Sequence, residues 1–323
     1  MNRATPTLLP SALPTTLPTT LPTTLPTTLP TTLRRAAVDV DGVRTPILEA
    51  GPRAAADAVV FVHGNPGSSE DWAGLVEATG AFARAVALDM PGFGRADRPR
   101  DFAYTVDGYA AFLARALETL GVERAHLVLH DFGGPWGLAW AAQNPARLAS
   151  VTLVNTGVLL GYRWHKLARL WRTPVVGELL MALMAAGNAD GFARGLNAGA
   201  RRPLPDAFTH RMHADIDAGT RRAILKLYRA TGDTEALGRA ISWALAPLDA
   251  PALVVWGKRD AFIPVEQAER QRVTFPRAAV HILDDSGHWP MADDPDGLAA
   301  LVVPFLHDVT RATAATSRAV RGG

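Results

Sequence analysis

From residue 34 onward, the chain alternates short apolar runs with segments of helical character, and this alternation limits the folds that it can adopt. Strands that alternate with helices form a mostly parallel sheet covered by helices on both faces. We therefore predict an α/β fold built on an eight-stranded, mostly parallel sheet. The predicted strands are 36–40, 45–49, 58–63, 85–90, 126–130, 150–154, 252–256 and 280–283, and the clearest predicted helices are 106–120, 135–143, 265–275 and 297–306.

One long segment, 157–246, interrupts this alternation. It contains many helix formers and dispersed aromatic residues but no strand pattern. An insertion of this length between two strands predicts a helical cap over the carboxyl edge of the sheet, where open α/β sheets bind their ligands. The predicted core then comprises residues 34–156 and 247–310, and residues 311–323 are predicted to form a C-terminal tail.

The N-terminus carries five copies of Leu-Pro-Thr-Thr over residues 13–32. Proline at every fourth position removes backbone donors and disfavours both helix and sheet, so we predict an extended, disordered tail over 1–33. The segment lacks the continuous apolar stretch of a secretory signal. It is expected to add nothing to the core, and a ligand for a proline-binding module is the functional alternative.

Composition narrows the partners that we expect. A net charge of +2 with dispersed arginines argues against nucleic acid, and the absence of cysteine excludes disulfides, thiolate zinc sites and a cysteine nucleophile. No apolar run reaches the roughly 18 residues of a membrane span, so we expect no membrane partner and a cytoplasmic location. Histidine and carboxylate residues show no metal-ligand spacing, so no metal and no cofactor are expected.

Three polar residues follow three of the predicted strands. Asp131 lies in the segment 128–134 (Val-Leu-His-Asp-Phe-Gly-Gly), where a strand turns sharply into a helix and lifts one side chain above the sheet. Asp260 and His288 follow the strands 252–256 and 280–283. The order nucleophile, acid, histidine is typical of a catalytic triad, and we predict that these three residues form one.

The segment 63–66 (His-Gly-Asn-Pro) also follows a predicted strand. We predict that the backbone N–H groups of Asn65 and Phe132 form an oxyanion hole. A carboxylate with a reference pKa of about 3.9 is ionised at neutral pH and can attack a saturated carbon without a base. The resulting ester would be hydrolysed by water that His288 activates. Attack on an ester or amide would instead give an anhydride, which argues against a lipase or esterase.

The segments 63–66, 89–94 and 130–134, together with Asp260 and His288, resemble the α/β-hydrolase superfamily. The resemblance is to its branch of epoxide hydrolases and haloalkane dehalogenases, and it covers the core but only parts of the cap. It implies an alkyl-enzyme ester on Asp131, a small-molecule substrate, water as the second reactant, and no cofactor.

The cap segment 227–230 resembles the Tyr-Arg segment of epoxide hydrolases. This resemblance implies that Tyr228 donates a proton to the oxygen that leaves the attacked carbon, and Tyr162 is a second candidate for that role. We therefore expect a hydrolase that opens epoxides to diols.

Haloalkane dehalogenation is the alternative activity. Asn65 matches the halide-binding asparagine of many dehalogenases, but Phe132 stands where their tryptophan binds halide, and a phenyl ring has no donor. Trp164 and Trp171 are expected in the substrate pocket, where an indole could replace that donor. A binding protein without activity and an enzyme that processes natural products also remain open, and the oligomeric state is not predicted.

Overall fold

The computed structural model describes residues 32–321, so residues 1–31 of the predicted N-terminal tail lie outside the described part. The strands are β1 (Arg34–Val40), β2 (Val43–Ala50), β3 (Asp57–Val62), β4 (Ala85–Leu88), β5 (Arg124–His130), β6 (Leu148–Val154), β7 (Ala252–Gly257) and β8 (Ala279–Leu283). The helices are α1 (Ala73–Gly80), α2 (Val106–Thr119), α3 (Gly133–Gln143), α4 (Lys166–Arg172), α5 (Val176–Ala186), α6 (Ala189–Leu196), α7 (Asp206–Asp215), α8 (Ala218–Ala230), α9 (Thr234–Leu245), α10 (Glu266–Arg270), α11 (Pro290–Asp293) and α12 (Pro295–Arg321).

The eight strands form one sheet in the order β1-β2-β4-β3-β5-β6-β7-β8. The pairs β1–β2 and β2–β4 are antiparallel, and every other pair is parallel, which confirms the predicted sheet. In the central pair, Val62 of β3 is in register with Leu129 of β5. The loops that leave β3 and β5 therefore begin side by side at the carboxyl edge.

Helices cover both faces of the sheet. The strands β3, β4 and β7 are buried almost throughout, which explains why they appear in the sequence as continuous apolar runs. One apolar cluster joins the sheet to α2, α3 and the cap, and a second joins it to α1 and α12. The site at the carboxyl edge thus rests on a rigid, two-faced core.

The C-terminal region differs from the prediction, because α12 continues as one helix to Arg321 and residues 311–321 are not a separate tail. Its later part contains neither glycine nor proline before the end of the helix and is rich in alanine, which favours helix. By length and composition the stretch Pro295–Thr316 could cross a membrane. Here, Leu298, Val302 and Leu306 are buried in the cluster that joins α12 to the sheet.

Six helices, α4 to α9, lie between β6 and β7, where the sequence predicts the cap. Ionic contacts tie these helices to the core. Arg211 of α7 contacts the buried carboxylate of Asp71 at 2.6 Å. Arg98 of the core contacts Asp217 and Thr220 at the start of α8, at 2.9 and 3.0 Å. The cap is thereby held over the carboxyl edge of the sheet.

Candidate active site

Asp131 occupies a sharp turn between β5 and α3. Its φ angle is 47°, in the left-handed region that non-glycine residues rarely adopt. Two glycines make room for the turn. A Cβ atom on Gly64 would lie 2.3 Å from the Cβ of Asp131, and one on Gly133 would lie 2.4 Å from the carbonyl oxygen of Val62. The small residues around Asp131 are therefore a steric requirement of this turn.

The structure brings the three predicted triad residues together. His288 Nδ1 lies 2.7 Å from Asp260 Oδ2, and His288 Nε2 lies 3.4 Å from Asp131 Oδ2. The side chains of Asp260, His288 and Asp131 are 0%, 4% and 11% exposed. The imidazole thus bridges two nearly buried carboxylates.

Asp260 is held by a full set of donors. Its Oδ1 accepts hydrogen bonds from the backbone N–H groups of Phe262 and Ile263, at 2.7 and 2.9 Å. Its Oδ2 also accepts one from the Asn155 side-chain amide at 2.7 Å. The sequence prediction missed Asn155, although its position directly after β6, at the carboxyl edge, could have indicated it.

The charges of the triad shift its pKa values strongly. Burial opposes the charged form of His288, but Asp260 and Asp131 outweigh it and raise the pKa of His288 to about 10. Burial likewise opposes ionisation of Asp131, but His288, His130 and the Asn65 N–H lower its pKa to about 2. Burial also opposes ionisation of Asp260, but His288 and the Asn155 amide lower its pKa. At neutral pH, the site therefore holds an imidazolium between two carboxylates.

The two predicted oxyanion donors differ in the free site. The Asn65 N–H donates to Asp131 Oδ1 at 2.7 Å. The Phe132 N–H lies at the start of α3 and makes no hydrogen bond with any residue that the structure describes. One donor is therefore already engaged with the Asp131 carboxylate, and the other is free for an oxygen that develops charge there.

A cavity of about 60 Å³ opens above Asp131. Phe132 and Pro135 line it from the core, and Tyr162, Trp164 and Tyr228 line it from the cap. The hydroxyl of Tyr162 donates to the Phe262 carbonyl oxygen at 3.3 Å. The cavity is otherwise mainly apolar, so its few polar groups would determine how a substrate is oriented.

Tyr228 is buried, and its ring meets that of Phe132 edge-on at 5.1 Å. Burial and then the charge of Asp131 raise its pKa well above the ordinary value, while the Asn65 side-chain amide opposes this rise. The phenol therefore stays protonated at neutral pH and can act as a donor.

The amide atoms Nδ2 and Oδ1 of Asn65 are buried, and neither has a hydrogen-bond partner of standard geometry among residues 32–321. Asn65 thus contributes a backbone donor to Asp131 and an unpaired side-chain amide beside Tyr228. An unpaired buried amide costs free energy unless a ligand satisfies it.

The prediction for Trp171 is wrong. Trp171 does not line the cavity but packs edge-on against the outer side of Tyr228, with ring centroids 5.1 Å apart. Trp164 precedes α4, whereas Trp171 lies near the end of that helix, so the two indoles lie on different parts of the cap. Its contact supports the Tyr228 ring from behind.

The sequence prediction also missed His165, which lines the cavity and contacts Tyr228 and Phe262. Burial lowers its pKa, and its Nδ1 accepts a hydrogen bond from the Ala168 N–H at 3.2 Å. The neutral ring therefore carries its proton on Nε2. Nothing in the local sequence distinguishes this histidine from other cap residues.

No group of three histidine, cysteine, aspartate or glutamate side chains within the described residues could hold a metal ion.

Fold and site together define the class of this protein. A family profile described as alpha/beta hydrolase fold matches residues 57–181. The chain resembles the α/β-hydrolase superfamily over these residues and has the α/β-hydrolase fold.

Its relatives within the superfamily are diverse. The chain is 28% identical to a 2-hydroxy-6-oxononadienedioate/2-hydroxy-6-oxononatrienedioate hydrolase of Burkholderia vietnamiensis over 77% of this chain and 87% of that protein. The structure of Cfl2 from Burkholderia cenocepacia is similar, with a TM-score of 0.74 and 26% identity over 85% of this chain and 96% of Cfl2. Haloalkane dehalogenase DbeA from Bradyrhizobium elkani shares the fold, with a TM-score of 0.74 and 23% identity over 87% of this chain and 100% of DbeA.

Proposed function

We propose that this hydrolase opens epoxides to diols through a covalent ester on Asp131. The observation that carries the proposal is the pairing of a carboxylate and a phenol in one apolar cavity. Asp131 lies on the core side, and Tyr228 faces it from the cap. This arrangement suits a reaction in which one side of a carbon is attacked while an oxygen leaves from the other.

In the first step, an oxygen of Asp131 attacks an epoxide carbon, and the bond from that carbon to the epoxide oxygen breaks. Tyr228 donates its proton to the departing oxygen, and the tyrosinate regains a proton from solvent. The Nε2–H of His165, in the same cavity, is a second donor suited to this oxygen. The product is a hydroxyalkyl ester of Asp131.

In the second step, water attacks the ester carbonyl carbon of Asp131. The pKa of about 10 would keep His288 protonated, and hence unable to act as a base, as long as Asp131 is charged. Esterification removes one of the two carboxylate charges, so the pKa of His288 falls and the neutral ring can take a proton from water. The N–H groups of Asn65 and Phe132 then hold the oxyanion. The oxyanion collapses as the bond from the carbonyl carbon to the alkoxy oxygen breaks, His288 returns its proton to that oxygen, and the diol leaves with Asp131 again a carboxylate.

The nucleophile argues against the chemistry named for the Burkholderia vietnamiensis relative. Attack of Asp131 on a carbonyl carbon, with expulsion of a carbon or oxygen leaving group, would give an acyl anhydride rather than a stable ester. We infer that this chain acts on saturated carbon.

Haloalkane dehalogenation is the second candidate, and Asn65 favours it. Its buried Nδ2 has no partner of standard geometry within the described part of the chain, lies beside Tyr228, and is a donor suited to halide. The indole of Trp164 in the same cavity is the other donor that a halide would need.

A substrate panel separates the two activities. We expect diol formation from aryl and alkyl epoxides and little halide release from bromoalkanes of matched shape. Steady halide release without diol formation would reverse the assignment, with Asn65 as the halide ligand and Tyr228 as a packing residue.

Tyr228→Phe is expected to slow alkylation of Asp131 by about 10²- to 10⁴-fold, because a general acid is lost. Tyr162→Phe is the matched control, since that hydroxyl is bonded to the Phe262 carbonyl, and it should slow alkylation less. Stopped-flow quenching of intrinsic tryptophan fluorescence would measure both rates. Equal rates in the two variants would contradict the role of Tyr228.

His288→Gln is expected to accumulate the alkyl-enzyme, because the first step needs no base. Intact-mass analysis should show one adduct on the peptide that contains Asp131, and Asp131→Ala should show none. An adduct elsewhere would refute the ester mechanism, and the absence of any adduct across the panel would favour a binding protein without activity.

A further inference from the structure

The cap helix α5 and the residue that precedes it expose apolar side chains to solvent. Val175, Leu179 and Leu183 follow one another at a spacing of four residues and are 78%, 59% and 61% exposed. The nearby Leu170 is 44% exposed. Soluble proteins seldom leave a contiguous row of large apolar side chains uncovered unless it serves a contact. We call Leu170, Val175, Leu179 and Leu183 the apolar row.

A groove of about 870 Å³ runs beside this row, between α5, α8 and the residues that precede α2. Four cations line it, and Glu178 is the one acid among its lining residues. Arg229 binds Glu178 through two hydrogen bonds of 2.7 and 2.8 Å. Arg221, Arg222 and Lys226 are left with no acid in the groove, so the groove carries excess positive charge.

Arg222 is the cation with the fewest internal contacts. Its guanidinium makes no hydrogen bond or ion pair with any residue in the described range, and its buried Nε is unpaired. By contrast, Arg221 donates to the Ile216 carbonyl oxygen at 2.9 Å, and Lys226 donates to that of Arg100 at 2.7 Å. An unpaired guanidinium in a basic groove is suited to an anionic oxygen supplied from outside the protein.

The row and the groove meet along α5. Glu178 and Ala182 line the groove, and each directly precedes a member of the row, Leu179 or Leu183. Neighbouring rows at a spacing of four lie side by side on a helix. The apolar side chains lie on or next to α5 and the cations lie on α8, so the two helices together combine the apolar and basic groups that a helix in a membrane interface carries on its two faces.

We propose that this surface docks on a bilayer that contains anionic lipids. The apolar row enters the boundary between headgroups and acyl chains, and Arg222, with Arg221 and Lys226, binds lipid phosphate groups. A second copy of the chain fits less well, because a two-fold contact through the apolar row would bring two basic grooves together. Surface docking needs no spanning segment. It therefore departs from the expectation of no membrane partner, which depended on the lack of a spanning run, and it goes beyond the proposed function.

Co-sedimentation of the full chain with lipid vesicles tests this proposal. Vesicles of phosphatidylcholine with one-third phosphatidylglycerol should bind the protein, and vesicles of phosphatidylcholine alone should not. Binding should weaken as salt rises, because exposed charges are screened. Leu179→Asp combined with Leu183→Asp should reduce partitioning more than about tenfold, and Arg222→Gln should reduce it about fivefold.

Two variants outside the cap serve as matched controls. Val273→Asp changes a side chain that is also 59% exposed, and Arg311→Gln removes an exposed charge from α12. Both should bind like the wild type, and circular dichroism should show that all variants are folded. Equal binding to neutral vesicles, no binding to mixed vesicles, or unchanged binding in the cap variants would overturn the proposal. The proposal would also be overturned if light scattering showed a dimer and if Leu179→Asp combined with Leu183→Asp dissociated it.

Discussion

The charge of Asp131 should control the pKa of His288, and replacing Asp131 with Asn tests this directly. Asparagine keeps the shape of the side chain and an oxygen for the Asn65 N–H, but it removes the negative charge 3.4 Å from His288 Nε2. At an effective dielectric constant of about 20, that charge is worth about 5 kcal/mol, or roughly 3.5 pKa units. Measured shifts from one neighbouring charge are about 1–3 units.

We therefore expect the pKa of His288 to fall from about 10 in the wild type to about 7–8 in Asp131→Asn. Nitrogen-detected NMR of the labelled imidazole rings over a pH titration would measure this pKa. His126 is the internal control, because burial lowers its pKa to about 4 and it hydrogen-bonds Ser150, well away from the triad. Its pKa should be the same in both proteins.

A His288 that titrates at the same pH in both proteins would refute the reasoning. It would mean that Asp260 alone sets the charge of the ring, so that esterification of Asp131 could not convert His288 into a base. A fall of 2 units or more would support that conversion, because the asparagine mimics the neutral ester.

Two further predictions concern the residues around the site. Asn155→Ala removes the amide that donates to Asp260 Oδ2 at 2.7 Å. The change should lower the free energy of unfolding, measured in urea, by about 1–3 kcal/mol. In single-turnover experiments it should slow ester hydrolysis more than alkylation. Equal slowing of both steps would contradict a role through Asp260. Arg211→Met leaves the buried Asp71 unpaired and should cost about 3 kcal/mol at pH 7. In the wild type, burial already raises the pKa of Asp71, although the charge of Arg211 opposes this rise. Without Arg211, the Asp71 carboxyl group should therefore bind a proton more tightly in the folded variant than in the unfolded chain. The stability of the variant should recover as the pH is lowered toward 5, because Asp71 is then protonated. A loss that does not depend on pH would show that Asp71 does not carry the cost.

The sequence by itself determined the sheet and the triad. Strands buried on both faces must be apolar throughout, and parallel strands must be separated by crossovers, so β3 to β7 are visible as separate apolar runs. Residues that directly follow such strands share one edge of the sheet. Asp131, Asp260 and His288 could therefore be brought together from chain order alone, although they span 158 positions.

The tertiary structure alone decided which cap residues reach the cavity. Tyr228 and Trp164 line it and Trp171 does not, although all three are aromatic residues in the same helical insertion. The position of the cap depends on contacts between distant segments, such as Arg211 with Asp71 and Arg98 with Asp217. Helical periodicity determines which face of a cap helix is apolar, but not where along the core that face rests, because those contacts join residues more than 100 positions apart in the chain.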